Sequence, residues 1–267
     1  MKLHRIFSLD IKMKMMLLSI LVITLVIFSI GCSSSSDNQA ELNVAAASDL
    51  ILAFNEIGPI FEEENGTKVV FSYGSTGQLT DQIVNGAPFD VFAAADIQFI
   101  EELKQKKLIV PESQQLYAIG RIGIASPPEA KVKPSRLEDL LDLDIKKIAI
   151  ANPEHAPYGR AAKQALVSAG LWDQLQGKLV YGRNISDTLT LIETGNADAG
   201  IIALSISKPA LSFQIIDEAL HQPLEQSIAV IKKTKDQELA QAFIDFINGP
   251  IGKPIMEKYG FIVPKEK

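Results

Sequence analysis

Four short stretches of the sequence place small residues and hydrogen-bond donors where a strand should give way to a helix. They are Ala47-Ser48-Asp49, Gly74-Ser75-Thr76-Gly77, "NPEHAPYGR" over residues 152–160 and "GRNISDT" over 182–188. Ser48, Ser75 and Thr76 offer hydroxyls, Ile185 with Ser186 offers backbone N–H groups, and Tyr158 adds a phenol beside Gly159. The first N–H groups of a helix have no partner inside it, and the helix dipole favours negative charge there. Several such ends converging on one cleft would hold a small oxyanion. Small neighbouring residues would let the main chain approach it closely. The same residue types are ordinary helix N-caps, and spacing alone leaves both readings open.

Catalytic chemistry has little support. Of the three histidines, His4 lies in an N-terminal leader, His221 in an irregular polar stretch, and His155 follows Glu154 with no nucleophile beside it. His155 is expected to be a hydrogen-bonded structural residue. "YGSTG" is not a nucleophile elbow, because Ser75 directly follows Gly74. No phosphate-cradling G-x-x-x-x-G-K-[ST] loop and no His/Cys cluster with metal spacing occurs in the sequence.

The elements that must position these stretches alternate from residue 41 onward. "LNVAAA" reads as a strand and residues 49–64 as a helix, with Leu50, Phe54, Ile57 and Phe61 on one side and a kink at Gly58-Pro59. "TKVVFSY" (67–73) and "FDVFAAA" (89–95) read as strands, each followed by a helix, and "YAIGRIGIASPP" (117–128) as one further strand. A second series runs through "KKIAIANPE", the helix "GRAAKQALVSAG", the strand "KLVYG", the helix "SDTLTLIETG" and the strand "AGIIALS". "QSIAVIKK" (226–233) is a late strand, followed by helices from about Gln237 to Asn248 and from Pro250 to Lys258. Repeated strand–helix units predict an α/β fold of parallel sheets covered by helices. Two sheets are expected, with "IGIASPP" and "QSIAVIKK" as crossover strands forming a hinge. One lobe then spans residues 41–122 plus 228–267 and the other 123–227, with a ligand cleft between them.

The first 31 residues stand apart. A basic start (Lys2, His4, Arg5, Lys12, Lys14) precedes an uncharged run over 15–30, then Gly31 and Cys32, the only cysteine in the chain. This describes an export signal, and the run falls short of the roughly 20 residues of a spanning helix. "SIGC" resembles a bacterial lipobox, in which the cysteine is lipidated and becomes the new N-terminus. Ser29 departs from that pattern, which usually has an aliphatic residue there, and the competing reading is an uncleaved anchor helix. Residues 32–40 read as a flexible spacer. Removing residues 1–31 takes away four Lys/Arg and one Asp, leaving 22 basic and 31 acidic residues, a net charge of −9. That argues against a nucleic-acid partner and leaves any anion site to local dipoles rather than long-range steering.

Five stretches together resemble the molybdate-binding proteins of bacterial ABC importers: "VAAASDL", "FSYGSTGQLTDQIVNGAPFDVFAAAD", "ANPEHAPYGRAAKQAL", "LVYGRNISDTLTLIETGNADAGIIALS" and "FINGPIGKPIMEKYGF". They run in the family's order from residue 44 to 261. The resemblance implies a two-lobed, type II periplasmic-binding fold that buries a tetrahedral oxyanion among neutral donors. Carried over by motif, contacts fall on Ser48 through hydroxyl and backbone, on Thr76 with Ser75 as its neighbour, on Tyr158, and on the backbone N–H of Ile185. Some members have a further tyrosine where this chain has Ala203, and Tyr158 could supply the missing phenol. A site of donors alone suits a fully deprotonated anion. A protonated phosphate would bring a donor to a site without an acceptor, whereas sulfate would have to be rejected by cavity size. The resemblance therefore implies a monomeric, non-enzymatic carrier without cofactor. It would bind molybdate and tungstate at the outer face of the cytoplasmic membrane or in the periplasm, held there by a lipid on Cys32, and would serve an ABC permease. The same fold binding sulfate or another oxyanion is the nearest alternative. A hydrolase with its triad hidden in the cleft lacks a visible nucleophile–base pair. An adhesion or scaffold module would not need four polar helix starts facing one cleft.

Overall fold

Apolar runs too continuous for an exposed strand require burial on both faces, and the computed structural model, which describes residues 40–264, provides it in two five-stranded sheets. In chain order the first lobe contains β1 (Glu41–Ala47), α1 (Ile51–Asn65), β2 (Lys68–Gly74), α2 (Thr76–Val84), β3 (Val91–Ala94), α3 (Ile97–Gln105) and β4 (Gln115–Gly120). The second contains β5 (Ile122–Ser126), β6 (Ile148–Ala151), α4 (Pro157–Ser168), α5 (Trp172–Leu175), β7 (Leu179–Gly182), α6 (Ile185–Glu193), β8 (Ala199–Ala203) and β9 (Ser212–Ile215). The chain then returns through β10 (Leu224–Val230), α7 (Gln237–Ile247) and α8 (Gly252–Lys258). The expected signal segment 1–31, the lipid site Cys32 and the spacer up to residue 39 lie outside the described residues.

Sheet order is β2-β1-β3-β10-β4 in one lobe and β7-β6-β8-β5-β9 in the other. β1 runs parallel to β2 with Ala47 opposite Gly74, and β6 runs parallel to β7 with Ala151 opposite Gly182. Each pair therefore ends at one level, and the four segments that follow start side by side at the carboxyl edges of their sheets. Ligands of open parallel sheets bind at that edge. The first lobe is held by a cluster of rings, with Phe54, Phe61 and Phe71 all packed around Phe243 at centroid distances of 5.1–6.1 Å. Phe54, Ile57 and Phe61 of α1 are buried at helical spacing, and α1 continues through Pro59 as one helix.

Four features differ from expectation. Residues 117–128 form two strands in different sheets, because the chain passes between lobes at Arg121. The first helix begins at Ile51, after a tight 3-10 turn over Ser48–Leu50. β9 had not been anticipated; it is a partly exposed edge strand, "SFQI", whose outer face needs no apolar residues. The return crossing comes earlier than residue 228, since β10 already pairs with β4 from Leu224.

Candidate functional site

The four junctions meet. Ala47, Ser48 and Asp49 from the end of β1, Gly74, Ser75 and Thr76 from the end of β2, Ala156, Pro157 and Tyr158 from the start of α4, and Ile185 from the start of α6 line one cavity with Ala95. Ser48, Ser75, Thr76, Tyr158 and Ile185, all singled out by sequence, are buried in its wall. About 10 Å³ is open to the centre of a water-sized sphere. That is room for about one water-sized group, far below the roughly 300 Å³ and more of pockets for organic solutes.

Local hydrogen bonds decide between the capping reading and the ligand reading. Asn184 caps α6 by accepting the Asp187 N–H at 2.9 Å, as capping predicts. Ser75 stands at the N-cap of α2 but makes no capping bond. Its hydroxyl turns across the cleft to His155, 2.6 Å from the carbonyl oxygen and 2.9 Å from Nδ1. His155 is thus hydrogen-bonded, as expected, and Ser75 has its proton committed there. Ser48 Oγ accepts the Ser186 N–H at 3.4 Å, and Thr76 Oγ1 accepts the Ala95 N–H at 3.2 Å. Accepting leaves each hydroxyl its own proton to donate. Thr76 and Ile185 are the first residues of their helices, and Tyr158 follows Pro157, which has no N–H. Their backbone N–H groups have no acceptor within their own helices.

The lobes are drawn together around this cavity. Ser186 Oγ donates to the Ser48 carbonyl at 2.9 Å, and Ser205 Oγ donates to the Asp49 carbonyl at 2.9 Å. No Lys or Arg lines the cavity. The two arginines that flank it in sequence are paired elsewhere, Arg160 with Asp96 at 2.5 Å and Arg183 with Asp187 at 2.6 Å. Negative charge inside can be balanced only by dipoles and neutral donors.

Two expectations fail here, and one residue explains both. Asp49 is fully buried in the cavity wall, so the wall is not made of donors alone. Its Oδ2 accepts the Tyr158 hydroxyl at 2.9 Å and the Gln226 amide at 2.7 Å. Tyr158 therefore spends its phenol proton on Asp49 and does not replace the tyrosine missing at Ala203; what it offers the cavity is its backbone N–H. Gln226 also donates to the Tyr158 oxygen at 2.9 Å and accepts the Tyr117 hydroxyl at 2.8 Å. Asp49 Oδ1 has no partner among the described residues. Burial pushes the Asp49 carboxyl up to about 6, against the lowering effect of the Gln226 and Tyr158 hydrogen bonds. Burial, with the Asp49 charge added, raises both Tyr117 and Tyr158 well above the usual phenol range. Gly120 makes room for this network, because a Cβ there would overlap the Tyr158 hydroxyl. Gln226, Tyr117 and Gly120 gave no local signal in the sequence. Asp49 stands beside Ser48, but its role depends on residues distant in sequence.

Among the described residues no group of three or more His, Cys, Asp or Glu could hold a metal ion.

Known proteins resemble this chain in sequence and fold. The chain is 35% identical over 253 residues to the molybdate-binding protein ModA of Azotobacter vinelandii, covering 91% of this chain and 97% of that protein. It is 34% identical over 227 residues to ModA of Rhodobacter capsulatus, covering 83% of this chain and 88% of that one. The solved structure of the Azotobacter vinelandii periplasmic molybdate-binding protein superposes with a TM-score of 0.79 at 30% identity, covering 84% of this chain and all of that one (100%). Residues 42–262 match the model described as bacterial extracellular solute-binding protein, and the chain belongs to that family of solute-binding proteins.

Proposed function

We propose that this protein captures molybdate outside the cytoplasm and delivers it to an ABC permease. The observation that carries this reading is the convergence of buried helix starts from two lobes on one small cavity without a cation. Such a site retains a compact oxyanion through helix dipoles and neutral donors. The ModA relatives, similar over nearly the whole described chain, point to molybdate as that anion. In this reading Ser48 and Thr76 donate their hydroxyls, Thr76, Tyr158 and Ile185 donate backbone N–H groups, and Ser75 holds the second loop against the opposite lobe. Tungstate has nearly the same size and charge and binds as well. Sulfate is smaller and binds less tightly.

The protein acts as a monomer, tethered by a lipid on Cys32 with residues 33–40 as spacer. The lobes close over the anion because it contacts both, which stabilises the closed form. The site is tested by growing crystals of residues 40–267 with molybdate and mapping anomalous scattering from molybdenum. The reading expects one peak between Ser48, Thr76, Tyr158 and Ile185. A peak at any other place on the protein would reject these residues as the site.

A further inference from the structure

Gly77 lies one residue inside α2 and outside the cavity wall. Its backbone is not left-handed, so nothing in its conformation calls for glycine. Glycine is a poorer helix former than alanine. The reason for it sits in the other lobe. A Cβ built at Gly77 would lie 2.7 Å from the His155 carbonyl oxygen, 3.0 Å from His155 Cβ and 3.1 Å from its Cα, and these are the three nearest atoms. The backbone N–H of Gly77 donates to that same carbonyl at 3.0 Å, beside the Ser75 hydroxyl at 2.6 Å. Two donors of one lobe thus grip one carbonyl of the other. Nearby, Arg160 reaches over from α4 to Asp96, the cap of α3, and lies 5.1 Å from the centre of the Phe99 ring. Gly77, His155, Arg160, Asp96 and Phe99 do not line the cavity.

We infer that Gly77 and the Arg160–Asp96 pair form a clasp at the rim of the cleft, which positions the lobes in the closed form and sets how long a captured anion stays. The role rests on the binding reading above but not on which oxyanion is bound. A methyl group at residue 77 meets the backbone of the opposite lobe only when the cleft is shut, so Gly77→Ala should oppose closure and leave the open protein intact. Arg160→Gln removes the second point of the clasp without adding bulk.

The test uses the soluble chain from residue 40 with molybdate as probe. It measures association and dissociation rates by rapid mixing and the melting temperature without anion. Gly77→Ala is expected to weaken affinity at least tenfold, chiefly through faster dissociation, with a melting temperature equal to or above that of the wild type. Arg160→Gln is expected to speed dissociation several-fold, less so at high salt. If the wild type binds molybdate but Gly77→Ala and Arg160→Gln release it at the wild-type rate, the clasp is wrong. A lower melting temperature for anion-free Gly77→Ala would also overturn it, since the glycine would then serve its own lobe. A wild type that binds no molybdate would instead remove the functional reading beneath it.

Discussion

At the scale of single residues, the site combines donors legible from sequence with an acid that was not. Ser48, Thr76 and Ile185 could be picked out because hydroxyls and helix starts carry their chemistry locally. Asp49 could not, because its role depends on Gln226, 177 positions away, and on Tyr158 in the other lobe. A buried carboxylate costs stability when ionised. The folded protein holds the Asp49 proton up to about pH 6, whereas the unfolded chain releases it near 3.8. Between these values the native state binds more protons, so stability falls as pH rises through the window and returns as pH falls. Asp49→Asn keeps an acceptor for Tyr158 but does not titrate. Its stability relative to the wild type should therefore grow by about 2 kcal/mol between pH 4 and pH 7. Urea denaturation of both proteins at several pH values checks this, and parallel curves would show that the Asp49 proton is not coupled to folding. Removing the two hydroxyl donors together, Ser48→Ala with Thr76→Ala, should weaken molybdate binding at least tenfold, or about 1.4 kcal/mol. Calorimetry showing undiminished affinity would clear the first lobe of any part in the site.

At the scale of elements, alternation and burial made most of the fold legible. Strands such as β1, buried on both faces, read as continuous apolar runs, and their parallel pairing brought the junctions to one level. The crossing between lobes was placed within two residues of Arg121, but the break of 117–128 into two strands was hidden because apolar residues run on through both. The edge strand β9 was hidden for the opposite reason, its exposure. The helix start at Ile185 offers a test that side-chain truncation cannot. Asn184 is extended, with φ −150° and ψ −178°, a conformation compatible with a following proline. Proline is well tolerated at the first position of a helix. Ile185→Pro should therefore delete one backbone donor while α6 still forms. We expect at least a tenfold loss of molybdate affinity with little change in circular dichroism, and near wild-type binding for Ile185→Val. Full affinity in the proline variant would mean that this N–H does not meet the anion.

At the scale of the whole molecule, two lobes are joined by crossings at Arg121 and ahead of Leu224, the connection that the proposed opening and closing requires. The lobes were legible from the two series of strands. The contacts between them were not, since Gly77 against His155 and Tyr158 against Asp49 exist only once the lobes meet. Anchoring also belongs to this scale. Cys32→Ser should shift the protein from the membrane fraction to the soluble one in cell fractionation, and a mutant that stays with membranes would favour an uncleaved N-terminal helix.

We propose that the cavity of neutral donors, with one buried acid in its wall, selects molybdate. It is tested most directly by titrating the soluble chain from residue 40 with molybdate, tungstate, sulfate and phosphate in a calorimeter. Molybdate and tungstate should bind alike and at least tenfold more tightly than sulfate. Sulfate binding as tight as molybdate binding would contradict it.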